Sequence, residues 1–413
     1  MVDKEVFEHV SARIDTYEND MIALQRELTA RPAIAPESGG NGEGEKARFL
    51  MEYCKSKGFV SLERIDAPDS NASEGTRPNI IATLSGATDN QSVWILTHMD
   101  VVPPGERGLW NQDPYKLTVE GRKLIGRGTE DNQQDLISSI FAAQALYDEG
   151  ITPERTIRLG FVADEETGSE KGLSFLLETR DNLFRSDDII VVPDFGDEQG
   201  GMIEVAEKSI LWMRVVTKGR QCHASTPDEG TNAFTAASHL VVALDGLATV
   251  YGDDSPLFHP SRSTFEATKK EANVPNINTI PGEDVFYFDC RVLPHYDLDR
   301  IITTIRDISS GIEERFGVTI ETEVIQAVPA PLPTADDAPV VHALAEAVRD
   351  VYGIDAAPVG IGGGTVAAHL RKKGYPVAVW SRLAKTAHQP NEYCLIDNMV
   401  GNAKVYAHLF LQR

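Results

Sequence analysis

The chain has 413 residues, 39 basic and 63 acidic, for a formal charge of −24, with 41% hydrophobic and 25% charged residues. At roughly 150 residues per domain this suggests two or three domains, with cores large enough to need no disulfides. The acidic balance argues against nucleic acid or an anionic membrane surface as partner, because both need basic patches.

The N-terminal MVDKEVFEHVSARID is charged throughout and lacks the apolar stretch of a signal peptide. No apolar run approaches the ~18 residues of a membrane span, so a cytoplasmic protein is expected. Cys54, Cys222, Cys290 and Cys394 are scattered and read as reduced thiols serving as buried small apolar residues. Ile14, Tyr17, Met21, Leu24 and Leu28 recur at three- and four-residue steps, predicting one amphipathic helix over residues 11–29. A glycine-rich loop follows through Gly44. The runs VWILT (93–97), TIRLGFVA (156–163) and IIVV (189–192) suit strands buried on both faces, with helical periodicity at 135–149 and 170–180 between them. This alternation predicts an α/β domain with a mostly parallel sheet.

Near residue 206 the pattern changes. ILWMRVV (210–216), VFYFDCRVL (285–293) and VTIETEVI (318–325) read as strands, and residues 232–250 and 298–308 as helices. Two helices on one face of an antiparallel sheet is the natural architecture. After Pro329, Pro331 and Pro333 the chain resumes α/β character, with a helix at 339–352, a glycine-rich turn at 360–364, another helix and a strand at 375–381. The expected organisation is an α/β catalytic domain (1–206 and 326–413) interrupted by a smaller α+β domain (207–325).

In open α/β sheets, sites form at the carboxyl ends of strands. VWILT runs into His98-Met99-Asp100, TIRLGFVA into Asp164-Glu165-Glu166, and IIVV into Pro193-Asp194; Asp131 precedes a predicted helix and His388 follows the late strand. Any one of these acids fits a solvated loop in an acidic protein. Five positions that all supply ligand types point to a metal site. Imidazoles and carboxylates without thiolates suit zinc, manganese or cobalt, and carboxylates can bridge two ions. The run GIGGGT (360–365) lacks the sixth glycine and the distant acid of a dinucleotide fingerprint, so a turn holding a substrate carboxylate or carbonyl is the better reading.

The segments LTHMDVVPPG, GRGTEDNQQ, VADEETGS, VVPDFG and AHQPNEY resemble the successive metal motifs of the two-zinc aminoacylase and carboxypeptidase-type metallopeptidases. That family includes acetylornithine deacetylase, succinyl-diaminopimelate desuccinylase and glutamate carboxypeptidase. The resemblance extends through KGRQCHASTPDEGTNA and NINTIPG in the insertion. It implies two divalent ions, probed first as zinc with cobalt and manganese as alternatives. His98 and His388 are similar to the terminal ligands, Asp131 to the bridging carboxylate, and Glu166 and Asp194 to the remaining ligands. Glu165 resembles the general base and acid, and Asp100 the carboxylate that orients His98. The resemblance also implies a cis peptide after Asp131 and a homodimer through 207–325, in which His223 serves the neighbouring subunit's site. Asn278, Arg291, Gly364 and Thr365 resemble substrate-holding positions, with Arg291 a fork for a substrate carboxylate.

The implied activity is metal-assisted hydrolysis of the amide of an N-acyl amino acid or diamino acid. Dipeptidase or carboxypeptidase activity is the alternative within the same chemistry, and a non-catalytic scaffold the remote one. Two departures stand out. Asn132-Gln133-Gln134-Asp135 replaces a Lys and paired glycines after the bridging Asp, and Ser209 stands where relatives commonly have glycine.

Overall fold

A computed structural model describes residues 2–58 and 60–413. The chain forms two compact units, Met1–Val205 with Thr334–Pro358 and Thr365–Arg413, and Ala206–Pro333 with Val359–Gly364. The second unit therefore extends beyond residue 325 and takes in the glycine-rich turn at 360–364.

In the first unit, α1 (Lys4–Asp15) and α2 (Glu18–Thr29) replace the single helix expected. The chain breaks at Tyr17 (φ −89°, ψ 0°), yet Ile14, Tyr17, Met21, Leu24 and Leu28 are all buried. The periodicity thus reports one apolar stripe carried across a break. There follow α3 (Gly44–Lys57), β1 (Ser61–Pro68), β2 (Thr76–Leu84), β3 (Thr88–His98), the short β4 (Thr118–Glu120) and β5 (Lys123–Ile125), and α4 (Gln134–Asp148). Next come β6 (Arg155–Val162), α5 (Leu173–Thr179), β7 (Ile189–Asp197) and β8 (Met202–Glu207).

The second unit contributes β9 (Ser209–Lys218), β10 (Cys222–His223), α6 (Ala233–Leu244), α7 (Leu247–Val250), β11 (Thr264–Lys270), β12 (Thr279–Ile280), β13 (Glu283–Val292), α8 (Leu298–Phe316) and β14 (Thr319–Val328). The chain ends with α9 (Pro339–Tyr352), β15 (Ala357–Ile361), α10 (Ala367–Lys372), β16 (Val377–Arg382), β17 (Tyr393–Leu395) and α11 (Ile396–Leu411).

The large sheet has the order β1-β2-β6-β3-β7-β16-β8-β15. It is mixed rather than mostly parallel. The central β6-β3-β7-β16 run is parallel, while β1–β2, β2–β6 and β8–β16 pair antiparallel. The apolar runs legible in sequence are these central strands. Trp94, Ile95, Leu159, Ile190, Val191 and Val379 are essentially inaccessible, as strands covered on both faces require. Because the four are parallel, their carboxyl ends share one edge.

The second unit is a four-stranded antiparallel sheet, β11-β13-β9-β14. Leu211, Met213, Val215, Phe286, Phe288 and Cys290 pack against Ala236 and Leu240 of α6 and Ile301, Ile302 and Ile305 of α8. Asp297 caps α8 by accepting the Asp299 N–H, and Gly317 ends it at φ 67°. One expectation fails here. The 18 residues Ala233–Val250 are long and apolar enough to span a membrane by length and composition, and a third of them are buried. Cys222 is partly exposed, unlike the other three cysteines.

Candidate metal centre

Each element of the parallel run delivers part of one cluster. His98 is the last residue of β3 and is 2% exposed. Asp131 lies in an irregular turn before α4 (φ −113°, ψ 95°), and its peptide bond to Asn132 is cis. Asp164 turns the chain out of β6 in the left-handed region (φ 63°), so Glu165 and Glu166 start a single helical turn. Asp194 sits inside β7 rather than at its end. There the register against β16 slips between Val379 and Ser381, and such an irregularity re-aims a side chain. A Cβ on Gly196 would overlap the Ser381 carbonyl oxygen, so glycine lets β7 rejoin β16 beyond the slip. His388 lies on the loop after β16, also left-handed at φ 63°. Non-glycine residues in that region are uncommon and cluster at functional sites.

The two Asp131 oxygens face different imidazoles. Oδ1 is 2.8 Å from His98 Nε2 and Oδ2 is 3.1 Å from His388 Nε2. Behind His98 stands Asp194 Oδ1 at 3.6 Å, and behind His388 stands Glu166 Oε2 at 3.1 Å. Glu165 groups with His98 and Asp194, each offering a ligand-type atom within 4.8 Å of the others. His98 Nδ1 is 3.0 Å from the Asp100 carbonyl and 3.5 Å from its carboxylate. The carbonyl thus orients the ring more closely than the carboxylate does, and it leaves Nε2 to face the Asp131 carboxylate.

The electrostatics fit a dication pair. Asp131, Asp194, Glu165 and Glu166 converge, and among the described residues no ion pair joins any of them to a lysine or arginine. Bonds to Asp131 and then Glu166 push His388 up to about 10. Burial draws His98 down, but bonds to Asp100, Asp131 and Asp194 outweigh it and hold the imidazole well above its ordinary value. Burial, then the Asp194 charge, holds the Glu165 carboxyl well above the ordinary range. The cluster calls for positive charge, and its hard oxygen and imidazole donors suit zinc, cobalt or manganese.

The residues that hold this cluster escaped the sequence reading. Glu392, fully buried, accepts Arg127 Nη1 at 2.6 Å and the N–H groups of Gly128, Glu130 and Asp131 at 3.0–3.2 Å. In return Glu130, from the Asp131 turn, accepts the N–H groups of Ala384, Thr386 and Ala387 just before His388. The two loops therefore hold each other through a reciprocal pair of buried glutamates. The departures from the resembling family are hydrogen-bonded too. Asn132 Nδ2 donates to the Pro193 carbonyl at 2.5 Å, and Gln133 Oε1 accepts from Gln25 Nε2 at 2.5 Å. Asp135 accepts from Ser381, Tyr406 and Asn402, and Ser209 Oγ accepts the Ala330 N–H at 2.9 Å. An isolated glutamate in NEY or TED carries no sequence signal for such roles.

The second unit brings His223 and Asn278 together. In the β10–β12 ribbon His223 pairs with Thr279, and the Ala224 N–H donates to the Asn278 carbonyl at 2.9 Å. The exposed His223 accepts the Ser225 N–H on Nδ1 at 3.1 Å, so the neutral ring carries its proton on Nε2. Arg291 departs from expectation. Its Nε and Nη2 are engaged by Asp289 at 2.8 and 3.0 Å, and its Nη1 donates to the Gly362 carbonyl at 3.0 Å. The fork proposed for a substrate carboxylate is thus occupied by the unit's own groups. Gly364 falls in the second unit and Thr365 in the first.

Comparison with known proteins gives a consistent result. A model of peptidase family M20/M25/M40 matches residues 94–412. An uncharacterized metallohydrolase of Methanococcus maripaludis is 39% identical over 408 residues, covering 94% of this chain and 98% of its own. A succinyl-diaminopimelate desuccinylase of Dinoroseobacter shibae is 25% identical over 393 residues, again 94% and 98%. In fold, the chain is similar to the aminopeptidase PepT of Bacillus cereus, with a TM-score of 0.74 at 20% identity, covering 95% of this chain and 98% of that one.

Proposed function

The chain belongs to peptidase family M20/M25/M40 and is a metallohydrolase, and we propose that it cleaves the amide of an N-acyl amino acid or diamino acid at a two-ion centre. The observation that carries the reading is the two-sided Asp131, whose oxygens face His98 and His388, each backed by its own carboxylate. His98, Asp131 and Asp194 would hold one ion, and His388, Asp131 and Glu166 the other, with zinc first and cobalt or manganese as alternatives. When bound, the pair supplies a water of lowered pKa and a polarised carbonyl oxygen.

The protein's own groups do the rest. Glu165 takes a proton from the attacking water at its carboxylate and returns it to the leaving amine. Asp100 holds Glu165 and Glu166 by accepting both their N–H groups, at 3.1 and 3.0 Å. His223, with its proton on Nε2, is a donor suited to the oxyanion that forms. Residues 207–325 act as lid and dimerisation domain, and a two-fold dimer lets each His223 serve the partner subunit's site. Asn278, Gly364 and Thr365 contact substrate. Arg291 supports that turn by steadying Gly362 and does not present an open fork.

The desuccinylase relative, aligned over nearly the whole chain, favours an acylated amino acid as substrate. The test is a hydrolysis screen of N-acyl amino acids against di- and tripeptides, with zinc, cobalt and manganese each supplied. Release of amine from an N-acyl amino acid supports the reading. Turnover of peptides alone replaces it with the dipeptidase or carboxypeptidase alternative. No turnover of either class, in protein shown to hold metal, refutes it.

A further inference from the structure

The glycine-rich loop before α3 is prominent in the sequence and has no part in the chemistry above. At its end stand Glu43 and, one turn into α3, Lys46, both essentially inaccessible. Glu43 pairs bidentately with the equally buried Arg77, Nε to Oε2 at 2.6 Å and Nη2 to Oε1 at 2.5 Å. The same Oε1 accepts the Asp164 N–H at 3.2 Å. Arg77 Nη1 lies 3.5 Å from Asp164 Oδ1, and the Asp164 carboxylate also accepts the Lys171 N–H at 2.8 Å and the Thr167 hydroxyl. Asp100 accepts the next two N–H groups, those of Glu165 and Glu166. Three consecutive amides, at 164, 165 and 166, thus point into two buried carboxylates. Lys46 Nζ completes the frame by donating at 2.7 Å to the carbonyl of Met99, the residue between His98 and Asp100.

We infer that Glu43 and Arg77 are positioning residues that, through Asp164, hold Glu165 and Glu166 in their working orientation. A buried ion pair is a poor device for stability alone. Desolvating both charges offsets most of their attraction, and apolar residues of the same volume often serve as well. What the pair gives is direction. A carboxylate anchored by a guanidinium fork can fix a backbone amide, and an apolar pair cannot. Asp164 is where the chain turns out of β6, in the left-handed region at φ 63°, so a grip on its amide and carboxylate sets the direction of the two glutamates that follow.

The inference rests on the two-ion hydrolase reading, and the experiment separates the two. Zinc is titrated into metal-free wild type, Glu43→Gln and Asp164→Asn, and kcat and KM are then measured at saturating zinc. Wild type that binds no second ion or hydrolyses nothing overturns the function and the inference together, before any variant is compared. With wild type as proposed, both variants should bind their weaker zinc ~10–100-fold less tightly, the usual effect of losing a partner that orients a ligand. Their kcat should fall by a similar ~10–100-fold even at saturating zinc, with KM changed less than about threefold, because Glu165 rides on the same turn. A merely structural role would lower thermal stability without this split. Asp164→Asn keeps a residue type that tolerates the left-handed region, so if Glu43→Gln does not fold it still tests the Arg77–Asp164 side of the frame. Wild-type zinc affinity and wild-type kcat in a folded variant would overturn the inference.

Discussion

Glu165 and Glu166 are neighbours in sequence, and replacing each in turn by glutamine separates proton transfer from ligation. Glu166 Oε2 lies 3.1 Å from His388 Nε2 on the second side of Asp131, whereas Glu165 groups with His98 and Asp194 on the first. Glutamine matches glutamate in size, so neither change opens a cavity. Glu165→Gln removes only the group that accepts the proton, and kcat should fall ~10²–10⁴-fold. At 1.36 kcal/mol per decade that is about 2.7–5.4 kcal/mol of transition-state stabilisation. The variant should keep both ions through gel filtration, since His98, Asp131 and Asp194 remain for one and His388, Asp131 and Glu166 for the other. Glu166→Gln should instead emerge with close to one ion per chain, and added metal should restore part of its turnover. Metal content by mass spectrometry and kcat at saturating zinc read both effects. If Glu165→Gln lost an ion while Glu166→Gln kept two and lost turnover, the two roles would be exchanged and the assignment wrong.

Three further outcomes are expected. Purified protein should carry close to two divalent ions per chain and lose turnover on exhaustive chelation; unchanged turnover in chelated protein would sink the metallohydrolase chemistry. Burial pushes the Asp135 carboxyl up to about 6, against the bonds from Ser381, Tyr406 and Asn402. A raised carboxyl stabilises the fold below its unfolded pKa of ~4 and loses that contribution as pH rises through ~6. On the order of 3 kcal/mol of that contribution is lost across the window, so metal-free Asp135→Asn should show a flatter urea stability between pH 4 and 7 than wild type, and parallel curves would refute this. Mixing Glu165→Ala with His223→Ala subunits should restore roughly a quarter of wild-type sites, since half the dimers are mixed and each has one intact site; exchange without activity would exclude a shared site.

The parts of the fold that were legible in the sequence are those where burial dictates composition. The β3, β6 and β7 runs are apolar because both faces are covered, and α8 shows its stripe because one face meets β9 and β13. The antiparallel members of the large sheet left no such mark. β2 carries Arg77 and Asn79 among its buried residues, and those two polar side chains serve hydrogen bonds rather than a core. A strand whose inward side chains are charged does not alternate, so the sheet read as more parallel than it is. Tyr17 illustrates the converse, a helix break hidden by a stripe that runs straight through it.

At the site, the residues that were legible are those whose chemistry is unusual for where they stand. An imidazole or carboxylate beside the carboxyl end of a buried strand stands out in sequence, which is how His98, Glu165, Glu166 and Asp194 drew notice as candidates, with Asp131 before its helix and His388 in the loop after β16. Glu43, Glu130 and Glu392 were not, since glutamate is common on exposed loops and nothing local marks these three as buried. Yet they are the acceptors for seven backbone N–H groups of the site's loops. Burying a carboxylate is costly unless such donors surround it, so each of these glutamates requires its loop to close around it. Each loop in turn, with amides that would otherwise lie orphaned in the interior, requires the glutamate. That mutual requirement fixes backbone positions that single-residue reading does not reach, and a buried acid ringed by backbone amides next to a ligand-bearing turn is the structural sign by which it is found.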